Sequence, residues 1–293
     1  MTLHAADNRA APAALGWSKN PYQPFLARIV RIEKMLDDNH LFTVRFLDPA
    51  HAEGFQHRPG QFVMLSVLGA GEVPISISSS PSRTGVLELC IRRVGRVTSA
   101  LFRLRTNDVV ALRGPYGNGF PVEAMFGGDL LIIAGGLGMA PLRSLLWYAL
   151  DQRERFREIT LMYGARTPAG MLFRDELVSL MDRNDMRCLL GVDGDPDGSW
   201  RGEVCRLPEL FDRAKITPET TYAAVCGPPV VYRHVLDRLL QLGFSKDRIL
   251  MSLERRMMCG VGKCGHCSVG YKYTCIHGPI FTYWDAINLP EMI

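Results

Sequence analysis

A chain of 293 residues, 47% hydrophobic and 22% charged, has the composition of a folded globular protein and the length for two or three compact domains, which excludes a disordered or fibrous chain. Its formal charge of +4, without lysine or arginine stripes interleaved with aromatics, argues against a nucleic-acid partner. The most apolar segment, residues 130–142, is broken by Gly135, Gly136 and Gly138 and is too short to cross a bilayer, so no membrane partner is expected.

Residues 1–20 are rich in Ala, Pro and Asn and read as an N-terminal tail without the apolar core of a secretory signal, so a cytoplasmic location is expected. Residues 21–124 carry short alternating stretches, at 41–47, 61–67 and 86–91, split by Gly, Pro and Ser. That pattern predicts antiparallel strands closing into a small β-barrel, interrupted by a helical turn over 97–104. In residues 125–250 the rhythm becomes buried strand, turn and helix: strands at 129–134, 159–163, 186–192 and 222–225, helices at 141–150, 172–181 and 230–242. This is a doubly wound α/β domain, which binds ligands at the carboxyl ends of its strands. Residues 251–293 are rich in glycine and cysteine with little helical period, and are expected to be held together by whatever the cysteines bind.

In the α/β domain, Gly135, Gly136 and Gly138 follow the first strand and open a helix with Pro141 in its first turn. Glycines there let the backbone approach a pyrophosphate, and the helix N-terminus offers free N–H groups to it; a plain tight turn is the alternative. A second strand-to-helix turn is Cys226-Gly227-Pro228-Pro229. In the barrel, Gly95, Val97 and Thr98, after Cys90, Ile91 and Arg92, combine a glycine, a hydroxyl and a helix start, an arrangement suited to an anion. Cys259, Cys264, Cys267 and Cys275 are spaced x4, x2 and x7; the first three match the plant-type [2Fe-2S] pattern, and a four-thiolate zinc site tolerates similar spacing.

The glycine turn, Tyr163-Gly164-Ala165-Arg166, the segment from Leu172 to Leu177 and the Cys226 turn, in this order, resemble the nucleotide domain of the ferredoxin–NADP reductase superfamily. The resemblance implies that Cys226, Gly227 and Pro228 lie beside a nicotinamide, with Cys226 near the transferred hydride. It also implies a flavin in the barrel. Val73-Pro74-Ile75-Ser76 stands where the superfamily carries Arg-x-Tyr-Ser, so the resemblance implies that Pro74, Ile75 and Ser76 are flavin residues, with the Ser76 hydroxyl able to reach towards flavin N5. Val73 replaces the arginine that meets the flavin pyrophosphate. Arg92, Arg93 and Arg96 are close enough in sequence to supply the missing charge, and FAD is expected on the Gly95–Thr98 turn. Arg166 and Arg174 are candidates for an adenosine 2′-phosphate, with NAD and NADP both open. Gly114-Pro115-Tyr116-Gly117 matches the superfamily's turn between the two domains.

A flavoprotein reductase needs a one-electron outlet, which favours the [2Fe-2S] cluster over zinc. From Ser252 to Cys267, with Tyr271 to Cys275, the chain is similar to the gamma subunits of cytoplasmic NAD(P)-linked nickel–iron hydrogenases (sulfhydrogenases). It is also similar to the corresponding subunit of anaerobic sulfite reductase and to the electron-transfer subunit of dihydroorotate dehydrogenase B. The resemblance implies a diaphorase-type oxidoreductase subunit using NAD(P)H, FAD and the cluster, and serving other subunits of a redox complex. The rival from another class is a zinc-stapled adaptor that has lost its flavin, favoured only by the changed positions at Val73 and Ile75.

Overall fold

The computed structural model describes residues 20–289, so nearly all of the expected N-terminal tail lies outside the described residues. Period-two alternation builds the first unit. In β1 (Phe25–Leu36) Phe25, Ala27 and Ile29 point inward while Leu26 and Arg28 point out. The chain continues through β2 (Asn39–Phe46), α1 (Pro49–Gly54), β3 (Phe62–Val67), β4 (Gly71–Ser76), β5 (Leu87–Arg92), α2 (Arg96–Leu101) and β6 (Val109–Tyr116). These strands form an antiparallel sheet in the order β4-β3-β6-β1-β2-β5. Just past β4, the Ser78 N–H donates to the Glu88 carbonyl on β5 at 2.8 Å, which brings the two sheet edges together and closes the barrel. Phe42, Val63, Leu65, Ile77, Leu89 and Leu112 fill it, each fully buried side chain contributing about 1.5–3 kcal/mol.

Continuous apolar strands build the second unit. After α3 (Val122–Met125), all seven residues of β7 (Asp129–Gly135) are buried, as a central parallel strand covered on both faces requires. α4 (Met139–Asp151), β8 (Ile159–Ala165), α5 (Arg174–Leu180), β9 (Arg187–Val192), β10 (Glu203–Val204), β11 (Thr221–Cys226), α6 (Pro229–Gln241) and β12 (Ile249–Ser252) follow. The parallel strands are ordered β10-β9-β8-β7-β11-β12, so the winding reverses between β7 and β11, where a doubly wound sheet opens its ligand crevice. Helix α5 starts two residues later than its periodicity predicts. The Leu172 N–H is taken by the Tyr163 hydroxyl at 3.0 Å, and Phe173 turns through the left-handed region at φ 54° before the helix begins.

The last segment does not hang as a separate appendage. It contains β13 (Ser268–Val269), β14 (Lys272–Tyr273), α7 (Thr274–His277), β15 (Ile280–Thr282) and α8 (Tyr283–Ile287). Strand β15 pairs antiparallel with β12, Met251 opposite Phe281, so the cysteine-rich stretch is a long excursion that ends as the edge strand of the nucleotide domain. Asn118, just after the barrel, binds it from the other side: its amide donates to the carbonyls of His277 (3.0 Å) and Ile280 (2.7 Å). Among the described residues no helix is long and apolar enough to cross a membrane.

Candidate functional site

The two turns of the α/β domain meet at the sheet's reversal point. Cys226 pairs with Ala134 across β11 and β7. A Cβ at Gly138 would lie 2.2 Å from the Cys226 carbonyl oxygen, and one at Gly135 would lie 2.6 Å from a methyl of Val231; Gly227 also faces Val231. Only glycines let β7, β11 and α6 close together here. Gly136 differs, being at φ +51° with nothing within 4 Å of an added Cβ, so its backbone is open to the close approach of a group such as a ligand's phosphate. The Tyr163 hydroxyl donates to the Gly136 carbonyl at 3.0 Å and holds this turn in place. Pro141 is buried in the first turn of α4, and Pro228 stands at the N-terminal boundary of α6.

At the end of β8, Arg166 is exposed and has no ion-pair partner among the described residues, whereas Arg174 is engaged with Asp175 at 3.1 Å. The Cys226 thiol is buried and donates to the Ser252 carbonyl at 3.6 Å, beside the Tyr232 hydroxyl. Burial pushes this thiol up to about 12, so it stays neutral. Glu254, two residues past β12, acts electrostatically on both Cys226 and Tyr232. Its side chain is solvent-accessible, yet surrounding protein raises its carboxyl above the usual range, the combination expected of a cleft wall. Tyr163 and Glu254 lie inside segments that carry the resemblance, 163–166 and 252–267, but nothing in the sequence singles either out as a site residue.

On the barrel, β4 is the flavin-facing candidate. Its register sets Phe62 opposite Ser76, Met64 opposite Pro74 and Leu65 opposite Val73, and such cross-strand partners share a face. Pro74 and Ser76 therefore look the same way as Phe62 and Met64, while Val73 and Ile75 look the other way, along the edge of the barrel core. Ile75 and Ser76 thus lie on opposite faces at the strand's end, not side by side. The Ser76 hydroxyl is partly exposed and makes no hydrogen bond among the described residues, so it retains a polar group for a ligand, whereas the Ser78 hydroxyl is fully buried and has no partner.

Helix α2 packs on β4. A Cβ at Gly71 would lie 3.5 Å from a guanidinium nitrogen of Arg96, on the Val73 and Ile75 face. Arg92 is paired with Asp38 at 2.8 Å and Arg93 lies 5.6 Å over the Phe102 ring, which makes Arg96 the candidate to replace the charge missing at Val73. Thr98 uses its hydroxyl internally, accepting from the N–H groups of Val94 and Gly95 at 3.0 Å, while the Gly95 turn opens onto free space. Ile91 and Val97 point into the barrel core, so only their backbones are available to a ligand. Cys90 faces the α/β domain, and burial pushes its thiol up to about 12.

The four clustered thiols converge from either end of one loop. Cys264 lies against Cys259, and Cys275 against Cys267. Gly260, Gly262 and Gly265 all take positive φ, and the loop they bend aims backbone N–H groups at sulfur: Val261 and Lys263 at Cys259 (3.4 Å), Gly262 at Cys275 (3.2 Å). Among the described residues no group of three or more Cys, His, Asp or Glu is set around a single metal ion. Two thiol pairs with amide donors suit two irons, one per pair, so the donor set fits a [2Fe-2S] cluster better than one zinc. Cys267 and Cys275 pack on Phe62, Met64 and Tyr116 of the barrel, so the face of this sheet that carries Pro74 and Ser76 is the one the cysteine loop packs on, while Val73 and Ile75 turn to the barrel core. The Arg113 guanidinium ties these parts together, gripping Glu72 of β4 and donating to the Cys259 carbonyl at 3.1 Å.

Comparison with known proteins agrees with this division. Residues 27–120 match the oxidoreductase FAD-binding domain family, residues 132–237 the oxidoreductase NAD-binding domain family, and residues 254–286 the iron-sulfur cluster binding domain of dihydroorotate dehydrogenase B. Among solved structures, the NADH-dependent reduced ferredoxin-NADP oxidoreductase superposes with a TM-score of 0.69 at 24% identity, covering 88% of each chain. A ferredoxin NADP+ reductase from Neisseria gonorrhoeae gives 0.64 at 23%, covering 78% of this chain and 97% of that one; both likenesses establish the fold. The probable dihydroorotate dehydrogenase B electron transfer subunit of Pyrococcus furiosus is 32% identical, over 81% of this chain and 84% of that one. Sulfhydrogenase 2 subunit gamma of the same organism is 44% identical over 94% of this chain and all of its own length, and sulfhydrogenase 1 subunit gamma is 44% identical over 94% and 96%. With the match covering barrel, nucleotide domain and cysteine loop alike, the chain belongs to the family of the sulfhydrogenase gamma subunits, a branch of the ferredoxin reductase-like flavoproteins.

Proposed function

We propose that the protein is the diaphorase-type subunit of a cytoplasmic nickel–iron hydrogenase, linking NAD(P)(H) to a partner catalytic subunit. When bound, FAD exchanges hydride with the nicotinamide and the [2Fe-2S] cluster relays electrons one at a time. The chain's own part is to hold and orient. The Gly136 turn and the N-terminus of α4 receive the nucleotide pyrophosphate; Cys226, Gly227 and Pro228 form the floor under the nicotinamide; and Arg166 meets the 2′-phosphate when the nucleotide is NADP. Ile75 and Ser76 border the flavin ring, and Arg96 with the Gly95 turn takes its pyrophosphate. Cys259, Cys264, Cys267 and Cys275 ligate the cluster. Residues 21–124, 125–250 and 251–293 serve as the flavin, nucleotide and cluster segments.

The observation that supports this reading most is the position of β4, whose end holds the flavin candidates Ile75 and Ser76 and which shares its Pro74–Ser76 face with Phe62 and Met64, the residues that pack on Cys267 and Cys275. A hydrogenase is preferred to a dihydroorotate dehydrogenase as the partner because identity is 44% to the sulfhydrogenase subunits and 32% to the electron transfer subunit of dihydroorotate dehydrogenase B. The test is to purify the complex from its native cells. Acid-released FAD, two irons per chain and hydrogen-dependent reduction of NAD(P)+ are expected. A colourless zinc protein, or a complex built around another dehydrogenase, overturns the reading.

A further inference from the structure

The barrel and the nucleotide domain are joined by a buried arginine that no motif marks. Arg143 lies on α4, the helix that opens from the Gly136–Gly138 turn, and is 5% exposed. Its Nη1 reaches into the barrel, donating to the Ser78 carbonyl at 3.0 Å and to Glu88 Oε2 at 2.6 Å. Its Nε and Nη2 hold Glu176 of α5 in a two-pronged grip at 2.9 and 2.8 Å, and its plane lies 4.9 Å from the ring of Phe173. The next residue, Ser144, donates to the Ser79 carbonyl at 2.7 Å. The indole N–H of Trp147, one helical turn further, donates to Glu176 at 2.7 Å.

Stability alone is a weak reason for this arrangement. A buried arginine with two carboxylates loses its hydration, and apolar side chains of the same volume often hold a fold equally well. What the guanidinium adds is direction, because its planar fork accepts partners only in set positions. The partners are telling: Ser78 and Ser79 directly continue the strand that ends at Ser76, and α4 begins at the nucleotide turn.

We propose that Arg143 is a positioning residue for hydride transfer, fixing the nucleotide-binding end of α4 against the flavin-side strand so that nicotinamide and flavin meet at a set distance and angle. This rests on the proposed reading of the two cofactor sites.

The test uses full-length protein loaded with flavin and cluster, mixed anaerobically with NADH or NADPH in a stopped-flow instrument. For Arg143→Met, flavin bleaching at saturating nucleotide is expected to slow by about 10- to 100-fold, with the nucleotide Kd within about threefold of wild type and FAD content unchanged. The charge-transfer absorbance between nicotinamide and flavin should weaken in step. Arg143→Lys should restore little, since it returns the charge without the fork. Arg83→Met, which breaks the exposed Arg83–Asp151 pair across the same interface, should stay within about twofold.

An Arg143→Met protein that is flavin-loaded and bleaches at the wild-type rate overturns the proposal, as does an equal loss from Arg83→Met. If Arg143→Met does not assemble, Arg143→Met with Glu88→Gln and Glu176→Gln removes all three charges. A wild-type rate in that variant, or its own failure to take up flavin, makes the triad a fold determinant and also overturns the proposal. A wild-type protein that NAD(P)H does not bleach instead sinks the functional reading on which the proposal rests.

Discussion

Gly138 and Cys226 touch so closely that a single added carbon at Gly138 would lie 2.2 Å from the Cys226 carbonyl oxygen. The proposed nucleotide turn and the proposed nicotinamide floor are therefore one packed unit, and Gly138→Ala must force them apart. Overpacking of this kind costs about 1–3 kcal/mol, so nucleotide affinity is expected to fall by about tenfold or more. FAD and cluster content, which depend on other segments, should remain. Titration of the bound flavin's spectrum with a non-reducible NADH analogue checks this, and unchanged affinity removes the turn from the site.

Cys264 is the most exposed of the four clustered thiols, and its replacement disturbs packing least. Cys264→Ser is expected to separate two activities. NAD(P)H should still bleach the flavin and reduce a two-electron dye, while partner-linked turnover collapses and the reduced cluster's paramagnetic resonance signal disappears. A variant that loses the signal yet drives the partner at the wild-type rate makes the cysteines structural.

Arg96 stands over the start of β4, and Arg96→Gln keeps its length while removing its charge. A charge-assisted hydrogen bond contributes about 1.5–3 kcal/mol, so FAD should bind roughly 10- to 150-fold more weakly. Riboflavin, which has no phosphate, should bind both proteins equally. Titrating flavin-free protein with each ligand measures the difference, and equal weakening for both ligands shows that Arg96 acts on the fold.

His57 is held neutral in the folded protein, its Nε2–H donating to the Ser79 carbonyl at 3.2 Å, and burial lowers it from 6.5 to about 4. Between those values the unfolded chain takes up a proton that the folded protein refuses. The stabilisation is complete above the unfolded value, declines as pH falls from 6.5 towards 4 and levels off below. Its size is on the order of 3 kcal/mol. His57→Gln keeps a donor without the titration, so its melting temperature should fall less steeply over that range than that of the wild type. Parallel curves would assign the acid sensitivity to other groups.

The barrel, the doubly wound sheet and the cysteine set are all legible in the sequence, because each rests on a local pattern: alternation, continuous apolar runs, or spacing. Contacts between distant segments are not. Nothing near Val73 announces that Arg96, and not Arg92 or Arg93, reaches β4; that follows from how α2 packs. Arg143 reads as one more charge on a helix until Ser78 and Glu88 are brought to it across the domain boundary. The late start of α5 is invisible for the same reason, since apolar periodicity includes Leu172 and gives no hint that the Tyr163 hydroxyl claims its N–H.

The pairing of β15 with β12 couples cofactor maturation to the integrity of the nucleotide domain. The two strands are joined by the whole cysteine loop, residues 253–279, and closing so long a connection carries an entropic cost that iron ligation at four points along it reduces. Were β15 to leave, β12 would become an edge without its cover and Phe281 would be lost from the core it shares with Met251 and Val269. An unpaired edge of that kind attracts other chains. Iron supply is then expected to act as a quality check on the polypeptide: chains lacking the cluster should aggregate or be degraded more readily than chains that have received it.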